Sequence, residues 1–204
     1  VYPYVLGDPK IDTKVLSKYP GRMINSGDRI SDPNDQARYS FYKINIQGHV
    51  LTLVNLHLLS FMLTPKEREV FTGIRSLEDF KTSYREIKGD IADKLKKGFV
   101  RRKKDTQILR NAIEDIEGPL ILCGDFNDVP ESYAYRTLKG DDLRDAYVET
   151  NFGPLITYNR HKMLFHIDQI LYRGPLQALS VDKGRIRTSD HYPLMARFAF
   201  TDSE

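Results

Sequence analysis

The sequence predicts an α/β layered domain in which β-strands and helices alternate along the chain. Three observations lead to this fold class. Short apolar runs bounded by Gly, Pro and Asn recur and have the length of strands. Residues 64–116 instead repeat apolar side chains at three- and four-residue steps, which is typical of amphipathic helices. A hydrophobic content of 40% supports a buried core, and the ordinary charged share of 29% does not indicate disorder.

The length of 204 residues predicts one domain, residues 1–204. Residues 1–35 are rich in Pro and Gly and have weak periodicity, so we expect them to be irregular. A strand from Tyr39 to Ile46, a turn at Gln47-Gly48 and a strand from His49 to His57 follow. The second of these strands is apolar on both faces, which indicates a sheet that is covered on both sides. His49 is interpreted as a hairpin residue.

Two helices are predicted after these strands. Ser76 and Asp79 resemble a capping box at the start of the first helix. The apolar face of that helix consists of Leu77, Phe80, Tyr84, Ile87, Ile91, Leu95 and Phe99. The apolar face of the second helix consists of Ile108, Leu109, Ala112, Ile113 and Ile116. Gly118-Pro119 is a helix-ending pair and stops the second helix.

Residues 94–104 carry seven positive charges and no acidic residue. The charged residues are Lys94, Lys96, Lys97, Arg101, Arg102, Lys103 and Lys104. One interpretation is a surface that contacts nucleic-acid phosphates or anionic lipid headgroups. The other is a solvated junction between the two helices, broken at Gly98, and the pattern favours this second interpretation. The net charge of +3 and the pI of about 8.8 fit a phosphate-bearing substrate without requiring one.

The second half of the chain alternates in the same way. Further strands are predicted at Leu120–Cys123, Ile156–Tyr158, Phe165–Leu171 and Leu194–Phe200. A helix is predicted from Pro130, because Pro is favoured in the first turn of a helix. Cys123 is the only cysteine, which excludes an intrachain disulfide and a zinc cluster of thiolates. Its apolar neighbours indicate a core residue.

Two polar motifs lie beside apolar strands and carry the predicted chemistry. Gly124-Asp125-Phe126-Asn127 follows one strand directly, and Ser189-Asp190-His191 precedes another. Strand ends in layered α/β folds are where loops converge to form sites. Carboxylates can hold a hard divalent cation and orient a water, and a histidine can supply a proton. The motifs therefore predict a site for metal-assisted attack on phosphorus.

Strand alternation adds further candidates to this site. It places Asn55 with His57 on one face, and His166 with Asp168 on one face. Each candidate also has a purely structural interpretation. Asp125 and Asn127 are good turn formers, Asp190 would cap a turn, His57 would be a satisfied core histidine and Asp168 would pair with a nearby Arg. We interpret His166 as structural and His161 as a loop residue.

Four segments together resemble the endonuclease/exonuclease/phosphatase superfamily, which includes pancreatic deoxyribonuclease and exonuclease III. The segments are Val54-Asn55-Leu56-His57-Leu58, Gly124-Asp125-Phe126-Asn127, Ile167-Asp168-Gln169-Ile170 and Ser189-Asp190-His191, in this order. The resemblance implies two mixed β-sheets packed face to face with helices outside, a four-layer sandwich. It also implies a divalent-metal-dependent phosphodiester hydrolase that uses Mg²⁺ or Mn²⁺. The substrate would be a nucleic acid, a phospholipid or a small phosphoester.

The resemblance also implies a role for each motif residue. Asp125 would orient and activate the attacking water, and Asn127 would bind the phosphate or that water. His191 would lie against the scissile phosphate, oriented by Asp168. His57 would be a second catalytic histidine. Asp190, with Asp125, would lie at the metal site. Two alternatives remain open, a phosphomonoesterase and a non-catalytic binding or scaffold module that kept the fold and lost the metal site.

The sequence departs from the family pattern at its start. Members of the family begin with a strand that carries an Asn and a later strand that ends in Gln-Glu, and that Glu is the main metal ligand. Val1-Tyr2-Pro3-Tyr4 resembles sequence that follows this Glu. We therefore expect an N-terminally truncated domain that lacks these strands, binds metal weakly and turns over slowly or not at all. The spacer from Leu58 to Arg110 resembles bacterial members tethered behind hydrophobic helices, so a membrane anchor upstream is a further expectation.

Overall fold

The computed structural model describes residues 1–7, 13–27, 38–60, 92–160, 163–186 and 188–201. Its strands are β1 (Tyr4–Leu6), β2 (Val15–Ser17), β3 (Gly21–Gly27), β4 (Arg38–Ile46), β5 (His49–His57), β6 (Leu120–Asp125), β7 (Arg144–Asp145), β8 (Tyr158–Arg160), β9 (Met163–Phe165), β10 (Asp168–Arg173), β11 (Leu176–Lys183) and β12 (Leu194–Phe200). Its helices are α1 (Ala92–Glu114), α2 (Tyr133–Lys139) and α3 (Ala146–Thr150).

A mixed six-stranded sheet forms the centre of the fold. Its strand order is β3-β4-β5-β6-β10-β7. Strands β5 and β6 run parallel, and each of the other neighbours in this sheet is antiparallel. The predicted hairpin of β4 and β5 is confirmed. Gln47 and Gly48 both have positive φ (54° and 98°), which the tightest hairpin turns require.

The two faces of the central sheet bury different partners. Alternating residues such as Val54, Leu122 and Leu171 pack with Leu109 of α1 and Leu138 of α2. Residues of the opposite parity pack against the hairpin of β11 and β12. This second cluster includes Leu51, Ile121, Tyr172, Ala178 and Val181. The central mixed sheet therefore lies between a helical layer and a second sheet, so the predicted packing of sheets with outer helices is confirmed, although the second sheet consists of two antiparallel strands.

Helix α1 runs without interruption from Ala92 to Glu114, so the predicted break at Gly98 is wrong. Gly98 is buried within the helix, and a single interior Gly costs only about 1 kcal/mol relative to Ala when tertiary packing supports the helix. The predicted helix start at Ser76, with the apolar positions from Leu77 to Ile91, lies outside the described residues. No helix in the described ranges combines the length and apolarity needed to cross a bilayer.

The prediction that residues 1–35 are irregular is also wrong for the part that the structure describes. Strands β1 and β2 pair with each other, and β3 forms an edge of the central sheet. Strands β1 and β2 have three residues each, and β3 carries a register shift between Met23 and Asn25. Short or bulged strands bounded by Gly and Pro show little alternation, which explains why the sequence pattern did not predict them.

Several boundaries in the second half differ from the predictions. The helix expected from Pro130 begins at Tyr133, because the side chain of Ser132 accepts a hydrogen bond from the Tyr135 N–H and caps the helix there. The strand expected at 156–158 is β8, shifted to Tyr158–Arg160. The run predicted as one strand over 165–171 is divided between β9 and β10. Strands β7 and β11 and helix α3 were not predicted.

Candidate functional site

Three strand ends bring the candidate residues into one row. His57 ends β5 and is in register with Asp125, which ends the parallel strand β6. Asp168 begins the antiparallel strand β10 and is also in register with Asp125. The three side chains follow the parity of Cys123 and Ile170, which face the second sheet. The row therefore lies at the mouth of the space between the two sheets.

Gly124 allows the chain to pass close to β5 just before Asp125. It has φ of 140°, and a Cβ at this position would lie 2.0 Å from the Leu56 carbonyl oxygen. Only Gly fits such a close approach of two backbones. The Gly of the Gly-Asp-Phe-Asn motif is therefore a requirement of the sheet that carries the site.

The carboxylate of Asp125 is held by Asn127. The Asn127 backbone N–H donates to Asp125 Oδ1 at 2.7 Å, and its side-chain Nδ2 donates to Asp125 Oδ2 at 3.1 Å. The same Nδ2 donates to the Leu58 carbonyl oxygen at 2.8 Å. Asn127 has positive φ (48°), a conformation that Asn tolerates better than most residues. Asn127 thus joins the loops after β5 and β6 and fixes the orientation of Asp125.

Asp168 holds the imidazole of His191. His191 Nδ1 lies 2.9 Å from Asp168 Oδ2 and 3.2 Å from Asp168 Oδ1. The hydroxyl of Thr157, which is fully buried, accepts hydrogen bonds from the Asp168 and Ile167 N–H groups and orients the start of β10. The ring of Tyr158 meets the His191 ring edge to face, with centroids 5.0 Å apart. Thr157 was not predicted, because it belongs to no polar motif.

Asp125 lies between the two histidines. Its Oδ2 is 3.9 Å from His191 Nε2 and 3.7 Å from His57 Nε2. The Asp125 side chain is 18% exposed, whereas His57 is 51% exposed. The structure therefore brings together His57, Asp125, Asn127, Asp168 and His191 in one partly buried cluster that is open on the His57 side.

Burial and like charge give this cluster unusual electrostatics. Burial, followed by the charge of Asp168, raises the pKa of Asp125, although the Asn127 N–H and both histidines oppose the shift. The hydrogen bond that His191 donates to Asp168 raises the pKa of His191 despite the opposing effect of burial. A carboxylate that is costly to ionise thus lies beside an imidazole that favours its protonated form, a combination typical of functional sites.

The other candidates lie apart from this cluster. Asp190 Oδ2 lies 3.1 Å from Arg160 Nη1, so its assignment as a metal ligand stays a prediction. Asn55 shares the face of His57 but donates to the Lys14 carbonyl oxygen at 3.4 Å. His166 precedes β10, and its ring packs against Tyr147 with centroids 5.6 Å apart. His161 lies outside the described residues.

Cys123 packs against the second core cluster, and burial raises the pKa of its thiol to about 11. This agrees with the prediction of a core residue, because the thiol stays protonated near neutral pH.

One residue of the basic segment is not on the surface. Arg102 is only 1% exposed, so its assignment to a surface that contacts anions is wrong. A helical repeat of 3.6 residues places Arg102 on the same inner face as Thr106, Leu109 and Ile113. The other six positions of the segment are exposed, namely Lys94, Lys96, Lys97, Arg101, Lys103 and Lys104.

The cluster has the donors that a divalent cation needs. One ligand atom from each of Asp125, Asp168 and His191 can be chosen so that all lie within 4.8 Å of one another. Carboxylate oxygens suit Mg²⁺, and a carboxylate set with an imidazole also suits Mn²⁺. A cation placed there would relieve the repulsion between the two carboxylates. The residues present therefore fit such an ion.

Comparison with known proteins gives a family and several structural neighbours. The profile of the Endonuclease/Exonuclease/phosphatase family matches residues 73–191, more than half of the chain. The catalytic domain of human Nocturnin, solved with a bound sulfate anion, is 20% identical, with a TM-score of 0.51 over 92% of this chain and 63% of that one. This chain therefore spans less than two thirds of the Nocturnin domain.

Two further solved structures share the fold at similar distance. A mannosyl-6-phosphatase of Bacteroides thetaiotaomicron is 14% identical, with a TM-score of 0.53 over 92% of this chain and 70% of that one. A truncated TDP2 of Caenorhabditis elegans is 17% identical, with a TM-score of 0.54 over 92% of this chain and 69% of that one. No curated protein matches by sequence. Identities this low show a common fold alone.

Proposed function

Because this chain belongs to the Endonuclease/Exonuclease/phosphatase family, we propose that it is a divalent-metal-dependent phosphodiester hydrolase in which a water attacks phosphorus. One observation carries the proposal. Asp125, fixed by Asn127, lies between His57 and an Asp168–His191 pair, and these groups come from separate segments of the chain. A purely structural role for these residues would not require two carboxylates to lie beside each other in a partly buried cluster.

Asp125, with Asp168 beside it, is proposed to hold Mg²⁺ or Mn²⁺, and Asp190 is proposed as a further ligand once released from Arg160. When bound, the cation offsets the negative charge of the phosphate and that of the two carboxylates. This compensation would favour the ionised form of Asp125, which burial and the charge of Asp168 otherwise disfavour by raising its pKa.

Asp125 is proposed to orient the attacking water and accept its proton. A general base must hold its carboxylate in a fixed direction within hydrogen-bond reach of the water. The two hydrogen bonds from Asn127 do this before any substrate binds, since they engage both oxygens of Asp125. In this geometry Asn127 orients the Asp125 carboxylate, and the side-chain carbonyl oxygen of Asn127 is proposed to contact the water.

His191 is proposed to donate a hydrogen bond to the phosphoryl group. Asp168 engages Nδ1 and leaves Nε2 on the side of Asp125, 3.9 Å from its Oδ2. The raised pKa of His191 favours the imidazolium, which stabilises developing negative charge. His57 approaches Asp125 from the exposed side and is proposed to contact the substrate where it enters.

An activity screen with a matched pair of variants tests this proposal. The protein is assayed with Mg²⁺ and with Mn²⁺ on a chromogenic phosphodiester, the matching monoester, DNA, RNA and phospholipid vesicles. Asp125→Asn should lower turnover by about a thousandfold, whereas Asp142→Asn, at the other end of the sheet, should retain it. Hydrolysis that EDTA leaves unchanged, or full turnover by Asp125→Asn, would refute the mechanism.

The same screen separates the remaining alternatives. Faster hydrolysis of the monoester than of the diester would identify a phosphomonoesterase. A folded wild-type protein that binds a phosphorylated ligand but hydrolyses nothing would identify a binding module.

A further inference from the structure

Arg102 of α1 is buried beside the site and is absent from its motifs. It has the largest volume among the fully buried side chains of the described residues, with 1% of its surface exposed. Its Nε and Nη2 donate to the Leu59 carbonyl oxygen at 3.1 and 2.8 Å. Its Nη1 lies 2.8 Å from Asp128 Oδ2. The guanidinium thus binds two separate loops at once.

Both of these loops carry the site. Leu59 follows Leu58, whose carbonyl oxygen accepts the side-chain hydrogen bond of Asn127 and whose N–H donates to the Asp125 carbonyl oxygen. Asp128 directly follows Asn127, and its Oδ1 accepts from the Val129 N–H. Arg102 therefore contacts the residue directly after Leu58 and the residue directly after Asn127, and Leu58 and Asn127 are hydrogen-bonded to each other and to Asp125.

We propose that Arg102 is a positioning residue that locks the loops after β5 and β6 together and so sets the direction of the Asp125 carboxylate. This inference rests on the proposed function, because Asp125 is the proposed base. The planar fork of Arg can engage a carbonyl oxygen and a carboxylate simultaneously, which the single ammonium of Lys cannot do in the same geometry.

The cost of burying this charge supports a specific role. Removing a guanidinium from water is expensive, and a well-packed apolar side chain often gives equal or greater stability. Burial lowers the pKa of Arg102 while Asp128 opposes that shift, and Asp125 is a further carboxylate whose charge acts on it. The charged side chain of Arg102 lies here between two loops of the site, and the proposed function requires a fixed relative position of these loops.

Arg110 provides a matched control on the same helix. It is 15% exposed and pairs with Glu114 at 2.9 Å and with Asp142 at 2.7 Å. It also donates to the Leu138 carbonyl oxygen at 3.3 Å. Its partners belong to α1, α2 and the segment before β7, and none of them contacts Asp125 or Asn127 in the part of the chain that the structure describes.

Kinetics of matched variants test the proposal. Arg102→Met should lower kcat by about tenfold to a hundredfold with KM changed less than about twofold, the size of effect seen when supporting contacts of a site are lost. Arg110→Met, compared at equal folded fraction, should keep kcat within about twofold of wild type. Arg102→Lys should recover part of the loss, and Asp128→Asn combined with Arg102→Met should lose no more than Arg102→Met alone. Equal kcat in Arg102→Met and Arg110→Met would overturn the assignment.

A readout that needs no turnover separates this inference from the proposed function. In NMR spectra the Asn127 side-chain amide protons should be shifted and protected from exchange in wild type and in Arg110→Met. In Arg102→Lys, and in Arg102→Met where it folds, they should move toward solvent-like values. Unchanged Asn127 resonances in Arg102→Lys would refute the positioning role even if the wild type proved inactive. Altered resonances with an inactive wild type would retain the positioning role and reject only the proposed function.

Discussion

The two ends of the central sheet differ in how the pKa of a carboxylate is shifted. At one end Asp142 pairs with Arg110 and with Arg173, the last residue of β10. Burial raises the pKa of Asp142, but the hydrogen bonds of the two arginines outweigh it and leave the pKa below its usual value. At the other end, about 17 Å along β10, burial and Asp168 raise the pKa of Asp125.

This difference separates a structural cluster from the cluster to which we assign the proposed function. Asp142 is compensated by cations, so it fastens α1 and β10 to the segment before β7. Among the described residues the ion-pair partners of Asp125 are the two histidines alone, and a second carboxylate lies beside it. Proteins keep such uncompensated groups where chemistry needs them and compensate charges elsewhere. A substitution at one end can therefore be compared with a matched substitution at the other.

The largest effect is expected from Asp168→Asn. The substitution removes the charge that orients His191 and favours its protonated form, so kcat should fall by about a hundredfold to ten-thousandfold. Asp142→Asn should change kcat by less than about twofold, because its partners lie at the other end of the sheet. Steady-state kinetics on the chromogenic diester measures both. Equal losses in the two variants would show that the site end has no special role.

Gly124→Ala should be the most destabilising small substitution in the sheet. A Cβ at Gly124 meets the Leu56 carbonyl oxygen at 2.0 Å, whereas a Cβ at Gly48, in the hairpin at the other end of β5, meets no atom within 4 Å. Both positions have positive φ, so Gly48→Ala should cost about 1 kcal/mol from conformation alone. Gly124→Ala should cost about 3 kcal/mol or more. Urea unfolding compares the two, and equal losses would contradict the close approach.

The two ends should also respond to pH in opposite directions. Asp168 raises the pKa of His191, so the stability from this pair is complete below the ordinary value of 6.5 and is lost as pH rises through the folded value. The depressed pKa of Asp142 gives stability that is complete above 3.8 and is lost as pH falls through the folded value. Urea unfolding in EDTA across this pH range measures both effects.

In that experiment Asp168→Asn should flatten only the alkaline limb of the stability profile, and Asp142→Asn only the acidic limb. An alkaline limb that persists in Asp168→Asn would show that another group is responsible for it.

The smallest effect is expected at the exposed basic segment. Replacing Lys96, Lys97 and Lys104 together by Gln should change kcat/KM for the small diester by less than about twofold. Exposed surface charges are screened by solvent and salt and contribute little to the binding of a small substrate. The salt dependence on a duplex DNA substrate is the sensitive measurement. A slope reduced by about one per removed charge would assign the segment to a polyanionic partner.

The sequence was most informative where an apolar run is bounded by clear turn or loop residues. Strands β4, β5 and β12 were predicted at or within one residue of their observed bounds, because Gln47-Gly48 separates β4 from β5 and Pro193 precedes β12. The gathering of Asp125, Asn127, Asp168 and His191 was also predicted, since strand ends in layered folds converge.

Other features depend on tertiary contacts that a local pattern does not encode. Arg102 belongs to a run of surface cations in the sequence, and only the helical phase together with Leu59 and Asp128 shows that it is buried. Its neighbours at steps of three and four, Thr106 and Leu109, were the available signal. The role of Thr157 depends on a side chain that reaches two N–H groups ten and eleven residues away, which sequence spacing does not indicate.

An isolated antiparallel β-bridge joins Tyr158 to His191. The backbone that carries the imidazole is therefore held by β8, not by the central sheet that carries the carboxylates. The Asn159 N–H donates to the Asp190 carbonyl oxygen, and the Tyr192 N–H donates to that of Thr157, so the segment around His191 is attached to β8. Asp125 and Asp168, in contrast, belong to β6 and β10, two inner strands of the central sheet. Redesign of β8 and its neighbours thus offers a route to move His191, the proposed phosphoryl contact, while Asp125 and Asp168 stay in place.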